Sequence, residues 1–362
     1  MLHASLSDVS RRLKRQSRFK TVLFLVTSLI LTNSLVCADP AVISANNIEK
    51  FLIAQFDRFD VVALGELHGS RADQELRIGV IRRKEFAEKV GIVVVEGLNS
   101  LYQSDLDSYI GGEDVPGERI QKVWRNSTQV FASPVMLTAY EQFLKEIRSV
   151  NQHQNFRGGL RIRVIAVDPP IDWERVRSHE DFFAFLRDRV DFGARVIATE
   201  VLRKRKKALL IVGLGGYTRN QQMQTPQGFV PLTPTIGGLI DSEFPDRLYV
   251  VTPIRGAEYP ETARLEQLIG KVKLPVLLRL KGTPFGALDP NEFVPANASI
   301  LLGAPAPPFH PFRDGLSMVG VADAIIYRGR SPDAMLEPDP AYKSDTTFTA
   351  EIARRARIAA RP

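Results

Sequence analysis

The chain has 362 residues, with 48 Lys and Arg against 41 Asp and Glu, a net charge of +7 and one cysteine, Cys37. Residues 1–38 hold six of the basic residues, one acid and that cysteine, which leaves a remainder near +2 without thiols. Disulfides, thiolate metal sites and a cysteine nucleophile are thereby excluded from the remainder, and its charge gives no case for nucleic acid as a partner.

Arg11, Arg12, Lys14, Arg15, Arg18 and Lys20 precede the apolar segment Thr21 to Leu35, which is shorter than the ~20 residues of a comfortable membrane span. Val36-Cys37-Ala38 then supplies the small-residue pattern of a cleavage site before Asp39-Pro40. Residues 1–38 are read as a signal peptide, and the protein as exported and periplasmic. The alternative is an uncleaved N-terminal anchor in the inner membrane, giving membrane attachment through this segment.

Beyond the leader, apolar runs alternate with amphipathic stretches. The expected strands are Val61–Leu64, Ile92–Val95, Ile162–Val167, Ala208–Val212, Leu248–Thr252, Val276–Leu280 and Ala324–Tyr327. Ser133-Pro134 opens a helix whose buried face is Met136, Tyr140, Phe143 and Ile147. Ser178 to Asp181 resembles a capping box ahead of Phe182, Phe185 and Leu186. The alternation predicts a three-layer α/β fold, with a mostly parallel sheet covered by helices on both faces. One domain is expected over 39–335, with long loops near 217–245 and 282–314 at the C-terminal strand edge and a tail at 336–362.

The polar residues of interest fall where strands end. Val61 to Leu64 runs into Gly65-Glu66-Leu67-His68, and Ile92 to Val95 into Glu96-Gly97. Ligands of open α/β sheets sit beyond the strands' C-terminal ends. Glu66, His68 and Glu96 are therefore candidate catalytic residues on two strands read as neighbours, and Asp168, ending another run, joins them as a candidate metal ligand. So many carboxylates at one edge require a positive partner, for which Arg71 is the nearest in sequence. Each residue also has a structural reading: Glu66 and Glu96 as helix caps, His68 as a surface turn, Asp168 before two prolines as a turn former. No Gly-x-Ser-x-Gly elbow is present. The basic run Arg203 to Lys207 reads as a solvated helix end.

Leu64-Gly65-Glu66-Leu67-His68, Val94-Val95-Glu96, Ala166-Val167-Asp168, Leu210-Ile211-Val212-Gly213 and Ala322-Asp323-Ala324-Ile325-Ile326-Tyr327 come in an order that resembles a broad superfamily. It contains erythromycin esterases, ChaN-type haem-binding lipoproteins and Tiki-type metal-dependent proteases, and the Glu-x-His spacing looks more like the ChaN branch. The resemblance implies a Glu and His site at the strand ends that activates water or holds a metal. Many members carry a histidine after the strand that corresponds to Leu209–Val212; here Gly216 stands in its place.

Two function classes follow. One is an exported binder of haem or of a divalent metal (Mn, Fe or Zn), with Glu66, His68, Glu96 and Asp168 as metal ligands and Tyr217 or His310 as a haem ligand. The other is a hydrolase of an ester or amide, metal-assisted or dependent on the Glu/His pair alone, acting on a small molecule. A degenerate scaffold without catalysis is the third reading.

Overall fold

The computed structural model describes residues 40–130, 132–153, 161–213, 216–225, 228–231, 235–254, 262–293, 312–332 and 334–360. Residues 1–38, on which the signal-peptide expectation rests, and His310 lie outside these residues. The strands are β1 (Val42–Ser44), β2 (Val61–Glu66), β3 (Ile92–Asn99), β4 (Arg163–Asp168), β5 (Ala208–Gly213), β6 (Gln222–Thr225), β7 (Gly228–Pro231), β8 (Leu248–Ile254), β9 (Val276–Arg279) and β10 (Ala324–Tyr327). The helices are α1 (Ile48–Gln55), α2 (Arg71–Arg82), α3 (Lys84–Lys89), α4 (Gln103–Gly111), α5 (Gly117–Arg125), α6 (Pro134–His153), α7 (His179–Ile197), α8 (Ile236–Glu243), α9 (Ala263–Ile269), α10 (Pro340–Ser344) and α11 (Thr346–Ala359). None of them is long and apolar enough to cross a membrane.

Eight strands form one sheet in the order β1-β9-β10-β8-β2-β5-β3-β4. The six from β10 to β4 run parallel, and β9 is antiparallel to both its neighbours. Each expected apolar run became a strand of this sheet, because a parallel strand is buried on both faces and its sequence is apolar throughout. Every residue of β2 and of β8 is buried.

Alternation along the strands divides the core. Val62, Leu64, Val93, Val95, Leu209 and Ile211 face one layer, formed by α1 to α6. Val61, Ala63, Val94, Leu210, Val212 and Val250 face the other, with Ile197 of α7, Ile236 and Ile240 of α8 and Leu265 of α9. Burial of each such side chain contributes about 1.5–3 kcal/mol. The capping box at Ser178 and Asp181 is formed as expected, and α6 buries Met136, Tyr140, Phe143 and Ile147.

Three expectations need revision. β2 and β3 are not neighbours, since β5 lies between them and pairs with both. The connection from β2 to β3 leaves a gap one strand wide, and linear order does not say which later strand fills it. The stretch 217–245 carries the antiparallel pair β6 and β7 and the helix α8. Residues 336–362, read as a tail, carry α10 and α11 in their described part, with Tyr342 and Arg355 buried.

Close packing at the end of β2 decides one position. A Cβ on Gly65 would lie 2.0 Å from the hydroxyl oxygen of the fully buried Tyr217. Gly65→Ala is expected to lower stability by about 1–3 kcal/mol in chemical denaturation, because an overpacked core must shift to admit the methyl group.

Candidate active site at the strand ends

Glu66 is the last residue of β2 and is only 4% exposed. One of its oxygens, Oε1, lies 3.0 Å from His68 Nδ1, and the other accepts from Nη1 of Arg77 on α2. Arg77 is itself buried, donates through Nε to Gln74 Oε1 at 2.6 Å, and lies over the Phe143 ring at 4.7 Å. Gln74 in turn donates to the Ala139 carbonyl at 3.2 Å. Glu66 is therefore not the cap of α2; Ser70 takes that place by accepting from the Asp73 amide.

The turn bearing His68 is pinned on two sides. The Leu67 amide donates to Asp73 Oδ2 at 2.7 Å, and Arg328, just beyond β10, donates to the other oxygen of Asp73 at 2.6 Å. The amides of Arg71 and Leu336 donate to the carbonyls of Ala334 and Gly69. These bonds fix the backbone of the turn from which His68 reaches Glu66.

A carboxylate only accepts hydrogen bonds, so Nδ1 of His68 carries a proton and Nε2 of the neutral ring is the basic nitrogen. Nε2 turns toward Gly213, the last residue of β5: a Cβ there would lie 3.0 Å from Nε2 and 3.4 Å from Glu96 Oε2. The absent side chain at Gly213 leaves Nε2 its clearance. The His68 side chain is 29% exposed, so solvent reaches it. Burial pulls the His68 pKa down, but the hydrogen bond and charge of Glu66, with Glu96 behind it and Arg189 opposing, carry it above its ordinary value of 6.5.

A second arm reaches the same edge from the other helical layer. The β3 register shifts between Val95 and Asn99, and such an irregularity re-aims side chains. Glu96 Oε2 accepts from the Gly213 amide at 2.7 Å, and its Oε1 lies 3.1 Å from Arg189 of α7. Arg189 also pairs with Asp168 Oδ1 at 3.2 Å. Asp168, at the end of β4, is fully buried and accepts from the Thr128 amide and hydroxyl at 2.6 and 2.5 Å. Burial raises its pKa to about 6, against the opposing pull of Arg189 and Thr128. Tyr140 closes the gap between the arms: its hydroxyl donates to Gln129 Oε1 at 3.2 Å and lies 3.5 Å from His68 Nδ1.

Glu66, His68 and Glu96 thus meet around Gly213, whereas Asp168 lies one arginine further away. The expected cation is supplied by Arg77 and Arg189; Arg71 is exposed and, among the described residues, enters the network through its backbone amide. Neither arginine was singled out from the sequence, although Gln74 and Arg77 share the buried helical face of Val80 and Ile81, a polar intrusion that could have marked them. At Gly216 a Cβ would lie 2.4 Å from Val212 Cγ2, so a histidine there would require the strand end to move.

The donor set suits a metal ion poorly. Each carboxylate already has a guanidinium partner, and among the described residues no three His, Asp or Glu side chains are grouped so that they could hold an ion. Tyr217 is fully buried, with its hydroxyl packed against Gly65.

No family model and no curated protein matches the chain. Among solved structures it is similar to a Bacillus cereus structural-genomics target, with a TM-score of 0.47 and 11% identity over 81% of this chain and 99% of that one. It is also similar to the erythromycin esterase EreC in an open conformation, with a TM-score of 0.44 and 13% identity over 80% and 95% of the two chains. A succinoglycan biosynthesis protein matches with a TM-score of 0.41 and 11% identity over 77% and 90%. These likenesses are of overall fold, and none bears on what the site does.

Arg77→Leu removes the guanidinium partner of the buried Glu66 and is expected to cost about 3–5 kcal/mol in urea unfolding. The raised pKa of Asp168 means that the folded state binds the extra proton between pH 3.8 and about 6, so this group's contribution to stability falls as pH rises through that window. The unfolding free energy of the wild type minus that of Asp168→Asn should therefore fall on the order of 3 kcal/mol across it. A flat difference would contradict the assigned protonation.

Proposed function

We propose that the chain is a hydrolase in which His68, oriented by Glu66, activates water for attack on an ester or amide carbonyl of a small molecule, without a resident metal ion. The observation that supports this reading most directly is the 3.0 Å contact from Nδ1 to Glu66, which presents Nε2 as the base beside the side-chain-free Gly213. General-base catalysis of this kind contributes typically ~10²–10⁴-fold.

The roles follow from the contacts. Glu66 fixes the tautomer and stabilises the imidazolium formed when Nε2 takes a proton from water. Arg77 balances the buried charge of Glu66. Arg189 brings positive charge to the same edge, where charge develops on the attacked oxygen, and Glu96 holds it there against the Gly213 amide. Proton return from the imidazolium to the leaving group completes the cycle.

The test is a panel of simple aryl and alkyl esters and amides, assayed with and without chelator, beside native mass spectrometry of protein purified without chelator. Hydrolysis that survives the chelator and falls at least ~100-fold in His68→Ala is the expected result, together with a polypeptide free of bound metal. A metal or haem adduct that disappears in His68→Ala would instead carry the binding reading. Inactivity of the folded wild type on the whole panel would remove the hydrolase.

The pH dependence checks the role of Glu66. Because His68 titrates above 6.5, kcat/KM should rise with pH through that higher value as the base is freed. Glu66→Gln removes the charge that holds the proton, so burial acts with less opposition and the rising limb should move to lower pH while the plateau falls. Gly213→Ala should fold yet lose about tenfold or more in kcat, by crowding Nε2.

A further inference from the structure

Both arms of the site lead back to one irregular segment, Asn126–Gln129, between α5 and α6. Thr128 holds Asp168, and through it Arg189 and Glu96. Gln129 accepts from Tyr140, whose hydroxyl lies against His68. No regular element runs through this segment, so its position depends on what holds it from behind.

The holding groups are buried. Asn99, fully buried, donates to the carbonyls of Asn126 at 2.7 Å and Ile171 at 2.8 Å. Trp173 Nε1 donates to the Ser127 carbonyl at 3.0 Å. A further clamp, beside the Tyr102 hydroxyl that accepts from Asn126 at 3.2 Å, is Arg355 of α11, which is only 4% exposed. It donates to the Arg125 carbonyl at 2.6 Å and to Asn126 Oδ1 at 2.8 Å, and its guanidinium lies over the Trp173 ring at 4.8 Å. Glu351, one turn earlier, accepts from Arg355 Nε at 2.8 Å and fixes the fork. An arginine that caps a backbone carbonyl, a side-chain amide and an indole face together is a rigid support, because its planar fork loses little freedom per bond formed.

We propose that Arg355 is a positioning residue: from the C-terminal helix it sets the Asn126–Gln129 segment, and through Thr128 and Gln129 the electrostatic surroundings of His68. The proposal deepens the hydrolase reading and rests on it for its effect on turnover. Its effect on His68 can be measured without any substrate.

The experiment is the NMR titration of the His68 imidazole in histidine-labelled protein, the resonance being assigned with His68→Gln. Arg355→Met keeps an apolar stem against Trp173 and removes every donor; Thr128→Val removes one bond to Asp168. Each should move the His68 midpoint in the same direction, and the double variant should move it no further than the larger single change, as expected for residues acting along one path. A wild-type midpoint in folded Arg355→Met, or additive shifts in the double variant, would overturn the proposal. If Arg355→Met does not fold, Arg355→Lys takes its place, since it keeps the buried charge and loses the fork that reaches Arg125 and Asn126 together; a wild-type midpoint there is equally decisive against the proposal. Should an ester be found, kcat should fall about tenfold with KM little changed. A shifted midpoint in a protein that hydrolyses nothing would retain the positioning role and remove the hydrolase reading alone.

Discussion

Charge balance at the C-terminal edge of the sheet is the constraint on which the rest of the site depends. Two strands end in carboxylates, Glu66 and Asp168, both almost completely buried, and β3 carries Glu96 three residues before its end. At an effective dielectric of ~20, two unit charges 4 Å apart interact by about 4 kcal/mol, so like charges gathered there would protonate or push apart without countercharges. The countercharges come from opposite layers, Arg77 from α2 on one side and Arg189 from α7 on the other. With His68 neutral, the cluster still holds one more negative than positive charge. The raised pKa of Asp168 is in keeping with that excess, although burial is its leading cause.

The two arginines do different work. Arg77 is locked between Glu66 and Gln74 and stacked on Phe143, so it is a fixed counterion for one carboxylate. Arg189 is shared between Glu96 and Asp168, and its side chain is 20% exposed. Lysine could not fill the Arg77 place equally well, because a point charge on a flexible stem lacks the fork that donates to Glu66 and Gln74 together. In the proposed mechanism the same division separates the chemistry: the arm through Glu66 tunes the base, and the arm through Glu96 supplies positive charge beside it.

Placement of β5 explains why glycine stands at the centre. With β5 between β2 and β3, its end lies between the two glutamates, and any side chain at Gly213 would enter the gap between His68 and Glu96. The backbone amide there serves Glu96 instead. The glycine that replaces an expected histidine thus belongs to a packed arrangement in which Val212 occupies the nearby space. A site that works through a single histidine is consistent with that packing.

Much of this was legible in the chain itself. Continuous Val, Ile and Leu runs mark strands buried on both faces, and the positions where the runs stop place Glu66, His68, Glu96 and Asp168 at one edge, because parallel strands all end on the same side. Tyr140 was legible as a buried helix residue, though not as a neighbour of His68. The partners were harder to read: Arg77, Arg189, Thr128 and Arg355 lie between 11 and more than 200 residues from the groups they support, and only Arg77, on the apolar face of α2, carries a local mark. Strand order was equally hidden, since a gap between two strands can be filled by any later run. Local periodicity thus determined the elements and the edge, while the pairing of buried charges was decided only in the tertiary structure, because a buried charge selects its partner by proximity in space.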